Sequence, residues 1–575
     1  MNHKWEYQPL TPEQTKESQA LAEELKIHPI LAGLLWQRGI RRPEEAHTFF
    51  RPQLTELHDP FLMKDMDKAV ERLNKAMGGK ERIMVFGDYD VDGTTAVALV
   101  YKFIQQFYSN VEYYIPDRDK EGYGISIQAI DQARQHEVKL IIALDCGIKA
   151  IDEISYARTL GIDFIICDHH VPDEELPPAA AILNAKRLDN TYPYTHLSGC
   201  GVGFKLMQAF ARSNNIRFQR LVPLLDLVAV SIAADIVPIM GENRILAYHG
   251  LKQLNQNPST GLKAIIDVCG LSGRELTMSD IVFKIGPRIN ASGRIQKGEE
   301  AVDLLVEKDL QEATGKANLI NQYNETRKDI DKNMTEEANL IVEQLGDMDH
   351  RNSIVLYNEE WHRGVIGIVA SRLTEIYYRP AVVLTQSNGI ATGSARSVSG
   401  FDVYKAIDHC RDLLLSFGGH TYAAGLSLKV ENVKTFTERF EQYVSEHILP
   451  EQRCPTLHID ASIDFKDVTT KFYQDLKRFS PYGPENLKPI FSTCKVYDYG
   501  TSKIVGRTQE HLKLELVDSK SGNVMNGIAF GQGKRWKHIR TKRAFDVCYS
   551  IEENTHKHGE LQLLIEDIRP NEQSE

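Results

Sequence analysis

Six carboxylates and two histidines fall in four short stretches of the chain. Asp88, Asp90 and Asp92 occupy alternate positions in "VFGDYDVDGTT" (85–95), Asp145 lies in "LDCG", Asp168, His169 and His170 follow one another in "CDHH", and Asp235 ends "AAD". Like charges this close repel and raise one another's pKa unless something positive sits among them. A carboxylate set with one or two imidazoles and no thiolate suits Mn²⁺ or Mg²⁺ rather than structural zinc. One such ion cannot neutralise five or six acids. Two ions, about 3.5 to 4 Å apart, can, and a pair can clamp the attacking and leaving oxygens of a phosphate ester. The competing reading is a set of Asp-rich turns capping helices. It accounts for one "DxD", but poorly for four such stretches at the ends of elements.

Positioning these groups needs a sheet. Short apolar runs "RIMVF" (82–86), "VEYYI" (111–115), "KLIIAL" (139–144), "DFIIC" (163–167) and "AAIL" (180–183) alternate with helical stretches such as "TAVALVYKFIQQF". This pattern predicts a parallel sheet with helices on both faces. In such sheets ligands bind at the strands' C-terminal edge, where "DYDVD", "LDCG" and "DHH" fall. The apolar run 221–240 approaches membrane length but contains Pro223, Asp226, Asp235 and Pro238, and reads as a buried helix with a functional end.

Elsewhere the chain divides by character. Residues 1–75 read as a helical segment, 76–296 as the acid-bearing α/β lobe, 297–346 as a charged helical connector, 347–450 as a second α/β lobe, and 451–575 as a β region with "LHIDASIDF" and "HLKLELVD" alternating between turn clusters. A small β-barrel is expected there. Its run "KRWKHIRTKR", with Lys534, Arg535, Lys537, Arg540, Lys542 and Arg543 around Trp536, suits single-stranded nucleic acid, combining backbone neutralisation with base stacking; a solvated basic loop is the plainer alternative.

With 575 residues, about three to four domains are expected, and 42% hydrophobic with 26% charged residues is ordinary for a globular chain. Eight scattered cysteines without a C-x-x-C pair, and an N-terminus lacking a signal-like apolar stretch, predict a reduced, cytoplasmic protein without a membrane partner. A net charge of −11 argues mildly against nucleic acid, whose phosphates call for basic footprints, although a local basic groove would answer that.

Taken in order, "DYDVDG", "LDCG", "DHH" and "AADIVP" resemble the four motifs of the DHH phosphoesterase superfamily. "PDRDKEGYG" (116–124), "GPRINASGR" (286–294), "WHRGVIGIVASRL" (361–373), "GSARS" (393–397) and "FGGH" (417–420) resemble its branch of single-strand-specific 5′ to 3′ DNA exonucleases. Each motif alone is weak; their ordered combination, over nearly the whole chain, is specific. The resemblance implies an α/β DHH lobe with a parallel sheet, a long helical connector, a DHH-associated α/β lobe and a C-terminal OB-like barrel. It implies one Mn²⁺ or Mg²⁺ on Asp88, Asp90 and Asp145 and a second on Asp92, Asp145, His169 and Asp235, with His170 facing the scissile phosphate and Asp168 orienting the histidines. One departure stands out: the wider superfamily opens its first motif with histidine where this chain has Asp88.

Read alone, Gly418 and Gly419 make a turn, and Arg118 and Arg294 are surface charges. The resemblance makes these four, with Ser394, Arg396 and His420, contacts to DNA phosphate. Its substrate would be single-stranded DNA, hydrolysed to 5′ mononucleotides in recombination and repair, between lobes too close for duplex, with a single-strand-binding protein and a recombination helicase as partners. The rival readings are a phosphodiesterase or pyrophosphatase acting on small nucleotides, and an inactive DNA-binding scaffold; loss of acidic residues would mark the latter, and none is missing.

Overall fold

The computed structural model describes residues 3–118, 120–122, 124–346, 350–387, 389–541, 543–554 and 559–570. Lys542 of the basic run lies outside them. The chain forms two compact units, one of residues 57–237 and 241–455, the other of 1–56, 238–240 and 456–575.

The larger unit is built on two sheets. In the first, β1 (Arg82–Gly87), β2 (Val111–Tyr114), β3 (Val138–Leu144), β4 (Asp163–Cys167) and β5 (Ala181–Leu183) pair in parallel in the order β2-β1-β3-β4-β5. The central strands β1, β3 and β4 are buried almost end to end, which is why they read as continuous Ile, Val and Leu runs: both faces of a parallel sheet are covered by helices. The helix Met66–Gly78, expected in the N-terminal segment, packs against this sheet at β5.

The second sheet is mixed. β6 (Ile354–Tyr357) and β7 (Ala381–Ser387) are parallel, and β8 (Ile390–Arg396), β9 (Leu414–His420) and β10 (Ala423–Lys429) complete the order β9-β10-β8-β7-β6 with antiparallel pairs. Between the sheets runs one helix of 36 residues, Leu310–Leu345, about 54 Å long. Asp331 on it accepts a two-pronged bond from Arg372 (2.7 to 3.1 Å), fastening it to the helix Ile366–Tyr377 of the second lobe.

The other unit joins the two ends of the chain. β11 (Phe491–Asp498), β12 (His511–Asp518), β13 (Val524–Ala529), β14 (Phe545–Glu553) and β15 (Leu561–Pro570) close into a five-stranded barrel in the order β11-β14-β15-β13-β12, with β12 returning to β11. Residues 1–56 are not a free-standing segment. The strand Lys4–Tyr7 runs parallel to Thr456–Ile459, and Leu31, Leu34, Leu35, Phe49 and Phe50 share one core with Phe479, Phe491 and Phe545. Phe49 and Phe50 both meet the Phe479 ring edge-on, at 5.6 and 5.3 Å. Sequence periodicity finds the helices but not the partner, because the partner lies at the far end of the chain.

That shared core sets an expectation for truncation. Each such side chain contributes about 1.5 to 3 kcal/mol by burial. A chain of residues 1–455 leaves them uncovered and should associate in light scattering, whereas 57–455 should remain monodisperse. A monodisperse 1–455 contradicts the shared core.

Candidate active site

The tight loop after β1 makes the first part of the site. Asp90 caps α1 (Val91–Gln105), its Oδ1 accepting from the Gly93 amide at 3.0 Å. The loop folds on itself so closely that a Cβ on Gly93 would lie 2.4 Å from the Asp88 carbonyl, and one on Gly87 2.4 Å from Val97. No other residue fits at either place without shifting backbone or core, so the glycines of "GDYDVDG" are what crowd the three carboxylates together.

The N-terminus of α2 (Gly199–Ser213) seats against the same acids. Asp92 accepts from the Gly199 and Cys200 amides at 2.6 and 2.8 Å and from the Ser231 hydroxyl at 2.6 Å. Unpaired amides and the positive end of a helix favour an anion there. A Cβ on Gly199 would fall 2.6 Å from that of Asp145. The motifs singled out from sequence do not include "SGCG", whose glycines at a helix start were the available signal. Asp145 itself, directly after β3, adopts φ 59°, a left-handed conformation that costs a non-glycine residue energy and often marks a functional position. Asp235 closes α3 (Leu225–Ala234) as its C-terminal cap.

These elements bring the expected acids to one place. His169 Nε2 lies 3.2 Å from Asp145 Oδ1, 3.5 Å from Asp235 Oδ2 and 3.8 Å from Asp92 Oδ2. Among the described residues two groups present ligand atoms within 4.8 Å of one another: Asp92, His169 and Asp235, and Asp145, His169 and His170. The first group holds three of the four residues expected for the second ion. The set Asp88, Asp90 and Asp145 does not form so close a group, and His170 stands within ligand reach of Asp145.

Asp168 orients His170 rather than both rings. Its Oδ1 accepts from His170 Nδ1 at 2.7 Å and from the His169 and His170 amides, and its Oδ2 from the Ile148 amide at 3.0 Å. Burial opposes the charge on Asp168, but the His170 ring and these amides outweigh it and hold the acid at about 2. Burial likewise acts against a charged His170, and the Asp168 bond reverses it, raising the ring above the ordinary histidine value. Among the described residues His169 Nδ1 has no hydrogen-bond partner.

The remaining acids show the opposite strain. Burial first, then neighbouring carboxylates, hold Asp88 and Asp145 well above the usual carboxylate range, raise Asp90, and push Asp235 up to about 9. Buried Asp88 Oδ1 and Asp235 Oδ2 have no hydrogen-bond donor among the described residues. Orphaned hard oxygens, mutual repulsion and an adjacent imidazole are what a divalent-cation site looks like before the cation is counted, so the residues fit Mn²⁺ or Mg²⁺.

A second, basic group belongs to the same unit. Arg294, on α4 (Gly286–Ile295), donates to the Gly364 carbonyl at 3.0 Å. Burial, and then the charges of Arg118, Arg327 and Arg396, lower it to about 10. Arg396, itself lowered by burial, donates to Ser394 Oγ at 2.8 Å, and both press on Gly367 at the start of α5 (Ile366–Tyr377), where a Cβ would lie 3.0 and 3.1 Å from them. Guanidiniums gathered near a helix N-terminus suit an anion. Arg327 and Gly367 were not found from sequence. Arg327 was hidden in the charge pattern of a long helix, and Gly367 in an apolar run.

"FGGH" forms the end of edge strand β9. Gly419, at φ 147°, leaves no room for a Cβ, 2.4 Å from the Ala423 carbonyl. Burial, and then the charges of His170, Lys149 and Lys186, lower the His420 pKa, so this strand end lies within electrostatic range of His170. In the barrel the expected stacking residue is displaced: Trp536 packs on the core, and Arg535 pairs with Asp567 at 3.3 Å. Tyr497, Tyr499 and Phe530 are instead exposed aromatics of the barrel strands and turns.

Residues 82–232 match the DHH family, N-terminal domain, and 340–446 the DHHA1 domain, which makes the acidic cluster that of a DHH-class metal-dependent phosphoesterase. Residues 459–567 match the RecJ OB domain. The chain is 36% identical to the single-stranded-DNA-specific exonuclease RecJ of Bacillus subtilis, over 99% of this chain and 71% of that protein, and 33% identical to that of Escherichia coli, over 95% and 96%. The crystal structure of RecJ from Thermus thermophilus with Mn²⁺ superposes with a TM-score of 0.85 at 26% identity, covering 99% of this chain and 80% of that one. The chain belongs to the RecJ family.

The raised carboxylates give a pH dependence with a definite sign. A group with folded pKa near 9 and an ordinary unfolded value favours the fold while protonated, and that contribution is lost as pH rises from about 4 to about 9. Chelator-treated protein should therefore lose melting temperature between about pH 5 and 8, and Mn²⁺ should remove the loss. A flat, metal-independent profile contradicts the electrostatic account.

Proposed function

We propose that this chain is a metal-dependent exonuclease that degrades single-stranded DNA from the 5′ end, releasing 5′ mononucleotides. The observation that carries the reading is identity of 33 to 36% to RecJ exonucleases along nearly the whole chain, with each acid of the cluster present. Mn²⁺ or Mg²⁺ is the cofactor; Mn²⁺ and Mg²⁺ accompany the related crystal structures from T. thermophilus.

In this reading Asp88, Asp90, Asp92, Asp145, His169 and Asp235 hold two ions. Bound there, the ions neutralise the acids and stabilise charge on the reacting phosphate. Asp168 fixes His170 through Nδ1 and keeps it protonated, so Nε2 donates to a non-bridging oxygen of the scissile phosphate. Water attacks phosphorus, the bond from phosphorus to O3′ breaks, and O3′ leaves with a proton. Arg118, Arg294, Ser394, Arg396 and the Gly418–His420 strand end receive the 5′-terminal phosphate, which fixes the scissile bond one nucleotide along. Single-stranded DNA is the substrate; a single-strand-binding protein and a recombination helicase are the partners we assign. The eight cysteines are all free, which supports a cytoplasmic setting. Among the described residues no helix is long and apolar enough to cross a membrane.

Single strands labelled at either end, incubated with the protein and Mn²⁺, test the direction: a 5′ label should appear at once as mononucleotide and a 3′ label only late. Simultaneous release, or no digestion, rejects the reading. Asp145→Asn should reduce turnover by at least about a hundredfold, roughly 2.7 kcal/mol in the barrier, with secondary structure intact by circular dichroism; retention of a tenth of the activity would exclude a shared ligand. Arg396→Ala should impair digestion of 5′-phosphorylated strands more than that of 5′-hydroxyl strands, and an equal loss would leave it as a general backbone contact.

A further inference from the structure

Between the ligands Asp88 and Asp90 stands Tyr89, a residue the chemistry above leaves unused. The Arg118 guanidinium carbon lies 5.3 Å from the centroid of its ring, within range of a cation–π contact. Its backbone is gripped as well. A Cβ on Gly293 would lie 2.8 Å from the Tyr89 carbonyl, and one on Gly298 2.9 Å from its Cβ. Gly293 directly precedes Arg294 on α4, and Gly298 starts the helix that follows, Glu299–Val306. One residue thus touches the first basic group through its ring and the element bearing the second through its main chain, while its neighbours on either side are acids of the metal cluster.

We propose that Tyr89 is a positioning residue that sets the register between the terminal-phosphate site and the metal cluster: its ring holds Arg118, and its backbone seats the helix that carries Arg294. This rests on the 5′-phosphate reading given above. Arg118 has a flexible stem, and the aromatic face steadies its guanidinium. The ring, not the hydroxyl, performs this role, because a cation–π contact draws on the face of the π-system. The tight glycine contacts let α4 approach this loop closely: any side chain at 293 or 298 would displace Tyr89 and disturb its hold on Arg118.

The test compares kcat/KM on 5′-phosphorylated and 5′-hydroxyl single strands of equal sequence. Tyr89→Leu should lower the phosphate preference by about fivefold or more, Tyr89→Phe should keep it, and Gly298→Ala, which crowds the Tyr89 Cβ and backbone without changing the ring, should lower it in the same direction. A merely structural role would depress both substrates together and leave the ratio unmoved. Should Tyr89→Leu fail to fold, Gly298→Ala against Tyr89→Phe decides alone. An unchanged ratio in Tyr89→Leu or Gly298→Ala, while Arg118→Ala lowers it, overturns the inference and spares the phosphate site. A fall in Tyr89→Phe as large as in Tyr89→Leu overturns it too, assigning the effect to the hydroxyl. An unchanged ratio in Arg118→Ala instead overturns Arg118 as a phosphate contact, and the inference with it.

Discussion

Repulsion among buried carboxylates is the constraint on which the rest of the molecule depends. Asp88, Asp92 and Asp145 are almost wholly buried, and burial together with neighbouring carboxylates makes Asp88 and Asp145 costly to ionise. The protein meets part of that cost itself. The α2 N-terminus and Ser231 satisfy Asp92, Gly93 satisfies one oxygen of Asp90, and Asp168 is balanced by His170. What Asp88 and Asp235 still call for is positive charge of the kind a divalent cation supplies. The parallel sheet follows from this need, since its C-terminal edge delivers loops from three strands to one point while burying the strands on both faces.

The basic group is the complement. Arg294 is depressed by its own like-charged neighbours as well as by burial, as the acids are raised by theirs. In the proposed reading, two strained clusters of opposite sign in one compact unit are relieved by two parts of one ligand system, the acids by cations and the guanidiniums by a phosphate. This is how a chain of net charge −11 can act on DNA. The charge that matters is local.

Much of this is legible in the sequence, for identifiable reasons. The acid clusters fall at strand ends because apolar runs mark the strands and Asp cannot continue them, so the pattern of residue types alone places Asp88, Asp145 and Asp168 at the sheet's edge. The 36-residue helix shows as a Pro-free charged stretch. What stays hidden depends on distant contact. Nothing local says that Phe49 packs on Phe479, that Asp92 accepts from the start of α2, or that Trp536 packs on a barrel core. The split of ligands between two ions is also beyond reach, because it depends on rotamers: His170 stands within ligand reach of Asp145 alongside His169, a proximity that two adjacent letters cannot convey. Arg327 carries no signal, one basic residue in a helix full of them.

The central claim is that the acids are held protonated or strained until cations replace the missing charge. Calorimetric titration of Mn²⁺ into the metal-free full chain at pH 7, repeated in buffers of different ionisation enthalpy, measures both ion count and proton release. The account predicts two ions per chain and net release of protons on binding, because groups such as Asp235, with a pKa of about 9 without metal, must lose theirs to become ligands. Binding of two ions without proton release, or saturation at one, would contradict it.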